Sequence, residues 1–152
     1  MKKYLGIAFM VMLSVFLLAG CEKVDKGDYK EGTYLGTYTD NYGGSKNTAI
    51  AVVYVDSNGL IKSVYLDTTY VKDGVNTTKK TLGNDYGMKV RSEAGKEWYE
   101  QVNLLESKIV ENQDISFIKL DENGKTDAVA GVTMKVDALY NALNNALKDA
   151  KK

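Results

Sequence analysis

The spacing of apolar residues changes along the chain, and each change predicts a new element. Over residues 33–42, Tyr34, Tyr38 and Tyr42 recur with Thr37 and Thr39 between them, a strand composition that runs into a turn at Gly43 and Gly44. Residues 48–55 form a clearer strand. Ile50, Val52 and Tyr54 alternate with Ala49, Ala51, Val53 and Val55, so both faces are apolar and the strand is expected at the centre of a sheet. Asp56, Ser57, Asn58 and Gly59 predict a turn into a third strand over residues 60–69, closing a hairpin. Residues 73–84 are polar and predict a loop. Ser92 is placed to cap a helix over residues 92–112, in which Trp98, Val102, Leu105 and Ile109 recur at helical spacing with Leu104 beside them. A short strand over residues 115–120 follows, then a turn from Asp121 to Gly124. In the final helix Ala138, Leu139, Ala142, Leu143, Ala146 and Leu147 share one face, and Asn141, Asn144, Lys148 and Lys151 the other. The order β-β-β-α-β-α predicts an α+β fold, a small antiparallel sheet with two main helices packed against it.

The N-terminus has a different pattern. Lys2 and Lys3 precede an apolar run from Tyr4 to Leu18, the charged and hydrophobic parts of a secretory signal. The run ends in Leu18, Ala19, Gly20 and Cys21, which resembles the bacterial lipobox, where the cysteine receives a diacylglycerol and becomes the first mature residue. A single membrane-spanning anchor is the alternative, but it needs ~20 apolar residues and the run is shorter. Two acyl chains, at ~0.8 kcal/mol per buried CH₂, hold a protein stably on a membrane. The expected organisation is therefore a lipoprotein signal at residues 1–20, lipidated Cys21 with a charged tether to residue 31, and one domain over residues 32–152. The tether reaches roughly 17 Å if flexible. Residues 14–20 also resemble the apolar peptides that some lipoprotein signals release as pheromones.

Composition then removes whole classes of chemistry. Cys21 is the only cysteine and there is no histidine, which excludes disulfides in the mature fold, Ser-His-Asp triads, His-ligated zinc and haem attachment through C-x-x-C-H. An electron carrier built from this chain needs an organic cofactor. Basic and acidic residues balance at 20 each; loss of Lys2 and Lys3 with the signal leaves 18 basic residues against 20 acidic. No basic patch is visible, so nucleic-acid binding is not expected. The Asp56 and Asp121 turns lack the alternating ligands and closing glutamate of a calcium loop, and turn chemistry accounts for both.

The remaining feature is the run Asp127, Ala128, Val129, Ala130, Gly131, Val132 and Thr133, just ahead of the final helix. Thr133 is expected at or just before the helix N-terminus, where unpaired N–H groups and the helix dipole favour an anion such as a phosphate ester. The same residues also fit a turn followed by an N-cap. The run resembles the flavinylation motif of the FMN-binding domain family, which includes the flavin-carrying subunits of the sodium-pumping NADH:quinone oxidoreductase and of the Rnf complex, and flavin lipoproteins of extracellular electron transfer. Asp127, Gly131 and Thr133 match. Ala130 stands where the family commonly has Ser or Thr, and Val132 where it has Ala.

That resemblance, which covers roughly residues 32–150, implies FMN esterified through its phosphate to Thr133 by a separate flavin transferase. It further implies a membrane reductase as electron donor, an extracellular acceptor or soluble flavin beyond it, and a lipid-anchored place on the extracytoplasmic face. The chain would be an electron-transfer flavoprotein rather than an enzyme with its own substrate site. Thr81, Leu82 and Gly83 occupy the place of a family loop set against the flavin ring, with Leu82 where proline is common; plain turn geometry is the alternative. Tyr86, Met88 and Trp98 are near enough in sequence to wall an aromatic ligand, and core packing is the competing role for Trp98. Non-covalent capture of flavin or another small ligand is the rival function.

Overall fold

The computed structural model describes residues 26–42 and 44–152. The expected signal segment at 1–20, Cys21, the first residues of the expected tether and Gly43 lie outside the described residues. Four antiparallel strands run in the order β1-β2-β3-β4: β1 Gly32–Tyr42, β2 Ser45–Val55, β3 Ile61–Lys72 and β4 Val75–Thr78. Three helices follow: α1 Lys79–Leu82, α2 Trp98–Asn112 and α3 Asp137–Leu147. The fold is α+β, as expected.

The central place of β2 between β1 and β3 also holds. Of its two apolar faces, only the one carrying Ala49, Ala51, Val53 and Val55 is fully buried; Ile50 and Val52 are half-buried and Tyr54 is exposed. The reason lies in α3, which packs on the first face alone. Its six predicted core residues are all buried, and Gly36 of β1, paired with Ala51, lets the backbone of Ala142 and Ala146 approach the sheet. At the other side of the core, α2 buries Trp98, Val102, Leu105 and Ile109.

Side chains of α2 also close the edge of β3. Leu66 N–H donates to Glu106 Oε1 at 2.5 Å, and Gln113 exchanges hydrogen bonds with both Ile61 N–H and Ile61 C=O. Unpaired strand edges template aggregation, so these contacts protect the sheet. Beside them, Lys80 Nζ bonds Glu106 at 2.5 Å and lies 4.3 Å from the centroid of the Tyr65 ring. Tyr65 donates to the buried carboxylate of Asp67 at 2.7 Å. Burial and this bond push the Tyr65 phenol up to about 12. Its folded pKa lies above the ordinary value of 10.0, so the fold holds its proton more tightly than the unfolded chain does. Stability from this group is complete below pH 10 and is lost as pH rises toward 12. Denaturant titrations across that window are expected to show a shallower alkaline fall for Tyr65→Phe; an unchanged slope would remove Tyr65 from the account.

The structure corrects several boundaries. Residues 73–84 are not one loop: Asp73 and Gly74, both at positive φ, turn β3 into β4, and Thr78 caps the single turn of α1 through a bond from Thr81 N–H. Helix α2 starts at Trp98 rather than Ser92, because Glu97 and Glu100 form a capping box. Ser92 Oγ instead accepts from Ala94 N–H and from Gln101. Residues 115–120 form no strand. Ile115 and Ile118 are buried through a turn, Ile118 N–H to Ile115 C=O at 3.1 Å, and no strand pairs with them. The tether does not extend to residue 31 as a free segment either. Gly27 N–H bonds Asn58 C=O, Tyr29 is 2 % exposed, and Lys30 N–H bonds Ala150 C=O at 2.7 Å, so the stretch is laid along the C-terminus.

Candidate functional site

The run containing Thr133 forms a loop whose ends are drawn together by Val136 N–H bonding Gly124 C=O at 2.8 Å. At its apex Val132 N–H bonds Val129 C=O at 3.1 Å, with Gly131 at φ 82 in the turn position that demands a positive φ. Val129 and Val132 are buried and anchor the turn, whereas Ala130 is exposed. The two departures from the family pattern therefore differ physically. Val132 spends its extra bulk in the core, and Ala130 leaves an apolar methyl at the surface.

Thr133 itself is not a helix terminus residue. Helix α3 begins at Asp137 with Val136 as its N-cap, and Thr133 N–H donates instead to Gln101 Oε1 at 2.9 Å. The expected help from the helix dipole is thus replaced by a side chain from α2. Gln101 is completely buried; its Oε1 also accepts from Met134 N–H at 3.2 Å, while its Nε2 donates to Ser92 Oγ and Lys96 C=O. The amide oxygen fixes the backbone at Thr133 and Met134, and the amide nitrogen is itself held by Ser92 and Lys96. The Thr133 hydroxyl makes no hydrogen bond among the described residues.

Thr133 lines a cavity of about 300 Å³, at the small end of the range for ligand sites. Tyr86, Met88 and Trp98, the three residues proposed from sequence to wall a ring, line the same cavity. The rings of Tyr86 and Trp98 meet edge-on with centroids 6.5 Å apart, and Tyr70 meets Tyr86 at 5.2 Å. Trp98 serves the core as well, being 4 % exposed.

Four cationic side chains, Lys79, Arg91, Lys125 and Lys135, face this cavity with Asp40, Glu93 and Asp137. Lys125 pairs with Glu93 at 3.2 Å and Lys135 with Asp137 at 3.0 Å. Among the described residues Lys79 pairs with no carboxylate. Its ammonium lies 5.4 Å from the Tyr86 centroid and 5.3 Å from that of Trp98, and desolvation holds its pKa below the ordinary value against the pull of Asp40 and Asp67.

A second, more open hollow of about 520 Å³ lies on the other side of Thr133 and is lined by the exposed Asp127, with Lys125 and Glu93 common to both. Asp127 and Thr133 are therefore brought together. Thr81, Leu82 and Gly83 are not: they form the end of α1 and its C-cap, residues 84–97 separate them from α2, and none lines the cavity. Turn geometry accounts for them, with Gly83 at φ 54.

Sequence reasoning missed Gln101 and Lys79. An amide on the apolar stripe of α2 was a visible signal for the first; nothing local marks the second.

No family model matches the chain, and no curated protein does. Among solved structures the chain is similar to a protein from Clostridium thermocellum determined in solution by NMR, with 36 % identity, a TM-score of 0.54, and an alignment covering 79 % of this chain and 91 % of that one.

Proposed function

From the premise that this chain belongs to one family with the Clostridium thermocellum protein and shares its fold, we propose that it is a lipid-anchored, extracytoplasmic electron carrier with FMN joined by a phosphoester to Thr133. What supports the reading is one observation: a threonine with an unengaged hydroxyl lines the same cavity as Tyr86, Trp98 and a set of cationic side chains. Aromatic walls suit a flat ring, and cations suit a phosphate.

The bound flavin supplies the redox chemistry. The chain supplies position. Gln101 holds the Thr133 backbone, Trp98 and Tyr86 exclude water from one end of the cavity, and Arg91, Lys125 and Lys135 offset the negative charge of a phosphate. Attachment would be a phosphoryl transfer from a flavin dinucleotide held by the flavin transferase: a P–O bond forms to Thr133 Oγ1, the donor's pyrophosphate P–O bond breaks, the nucleoside monophosphate leaves and the hydroxyl proton is released. The exposed turn at Ala130 presents this loop to such a partner, while Val132 is hidden from it. Cys21, as the lipidated residue, keeps the domain on the membrane beside a reductase that donates electrons, and an extracellular acceptor or soluble flavin removes them.

Co-expression with a flavin transferase is expected to add the mass of FMN less one water to the intact chain. Thr133→Ala is expected to abolish the gain completely without changing the melting temperature by more than a few degrees. A wild-type chain that gains no mass would sink the covalent reading; one that nevertheless retains FMN through gel filtration would establish the non-covalent alternative.

A further inference from the structure

Lys79 is the one cation of the cavity held between aromatic rings, and no ion pair among the described residues fixes it there. It sits at the start of the four-residue α1, a position where a helix disfavours positive charge, with Thr78 supplying the cap. No carboxylate lies within ion-pair distance of its ammonium among the described residues, although Lys80 next to it is paired with Glu106 at 2.5 Å. A partly desolvated ammonium costs free energy, and here the chain returns only two ring faces at 5.3 and 5.4 Å.

We propose that Lys79 sets the reduction potential of the cavity's occupant, by favouring negative charge that enters at the aromatic end. The inference rests on the flavin reading above. The other cations are disposed differently. Lys125 and Lys135 are already paired with Glu93 and Asp137, and Arg91 is exposed and bonds Gly87 C=O. Among the described residues Lys79 alone of the four combines partial burial, no ion-pair partner and contact with both Tyr86 and Trp98. An ammonium so held is fixed before any electron arrives, and a fixed charge in a poorly solvated site acts more strongly than one in water. Its effect grows with the negative charge that reduction brings into the cavity. The lowered pKa has the same origin, since burial without a partner raises the cost of the charge.

The full-length chain, Lys79→Met and Lys79→Arg are each co-expressed with a flavin transferase, weighed intact, and titrated with dithionite against a reference dye. With equal mass gain in all three, Lys79→Met is expected to lower the reduced-to-oxidised ratio at fixed potential about tenfold, a shift of about −30 mV for a two-electron couple. Lys79→Arg is expected to stay within about twofold of wild type. Melting temperatures of the unloaded chains provide a readout independent of the flavin: Lys79→Met should not fall, because it removes an unpaired charge. An unchanged ratio in a fully loaded Lys79→Met overturns the proposal. Loss of loading in Lys79→Met with loading kept in Lys79→Arg also overturns it, assigning the charge to capture. A wild-type chain without adduct fails earlier, at the mass measurement, and removes the premise.

Discussion

Gly36→Ala is expected to lower the stability of the domain by about 3 kcal/mol or more, at or beyond the top of the range for an overpacked core. A Cβ built on Gly36 falls 2.1 Å from the carbonyl oxygen of Ala142 and 2.3 Å from the amide nitrogen of Ala146. Both atoms belong to the backbone of α3, so no side-chain rotation relieves the clash. The helix must retreat, and with it Leu139, Leu143 and Leu147, which close the core over β1 and β2. Because Ala138 and Leu139 also line the cavity, the retreat is expected, on the proposed flavin reading, to reduce loading as well as stability. Urea unfolding of the unloaded chain checks the first effect. Gly44→Ala is the control, since nothing lies within 4 Å of a Cβ there and only its positive φ of 79 opposes the methyl. A Gly36→Ala midpoint no lower than that of the control would mean that α3 does not approach the sheet as closely as described.

Gln101→Leu is the second large effect. Leucine matches the apolar neighbours Trp98, Val102 and Leu105, yet it leaves Thr133 N–H and Met134 N–H without an acceptor. A buried unsatisfied amide costs about 1–3 kcal/mol, and partial relaxation of the loop toward solvent limits the sum, so a loss of about 2–4 kcal/mol is expected. The loop that presents Thr133 should loosen selectively. Hydrogen exchange reads this directly, as a loss of protection at Thr133 and Met134 that exceeds the loss in β2. On the proposed flavin reading, loading should also fall although Thr133 itself is untouched. Ser92→Ala, which removes only one partner of Gln101 Nε2, is expected to have a smaller effect on both measures. Protection at the two amides equal to wild type in Gln101→Leu would show that the amide does not hold the loop.

Much of the architecture was legible from local pattern. The six apolar positions of α3 and the four of α2 recur at helical spacing and are all buried. In β2, alternation identified the central strand but not which face is covered, because that depends on where α3 returns. The β3–β4 hairpin carried a readable sign: Asp-Gly is a strong hairpin signal when strand-forming residues flank it, as Val71 and Val75 do here. The error at residues 115–120 has the opposite origin. Ile115, Phe117 and Ile118 have strand-like composition, but a strand requires a partner edge. The edge of β3 that might have served is closed by Glu106 and Gln113. Tyr29 was hidden in a charged stretch whose average composition suggested a tether, although one buried aromatic suffices to dock it.

The sequence by itself determined the fold class and the positions of its two main helices, because helix and strand periods are local properties; the proposal of Thr133 as an attachment point also came from a contiguous stretch. Tertiary structure alone decided what surrounds that threonine. Gln101 lies 32 residues away in the chain, and its bond to Thr133 exists only when α2 and the loop meet across the core. Lys79 reaches the same cavity from α1, a turn with no buried residue of its own. Desolvation, the approach of two rings to a cation, and the satisfaction of a buried amide all depend on groups far apart in sequence. Those interactions convert a threonine in a turn into a candidate attachment point.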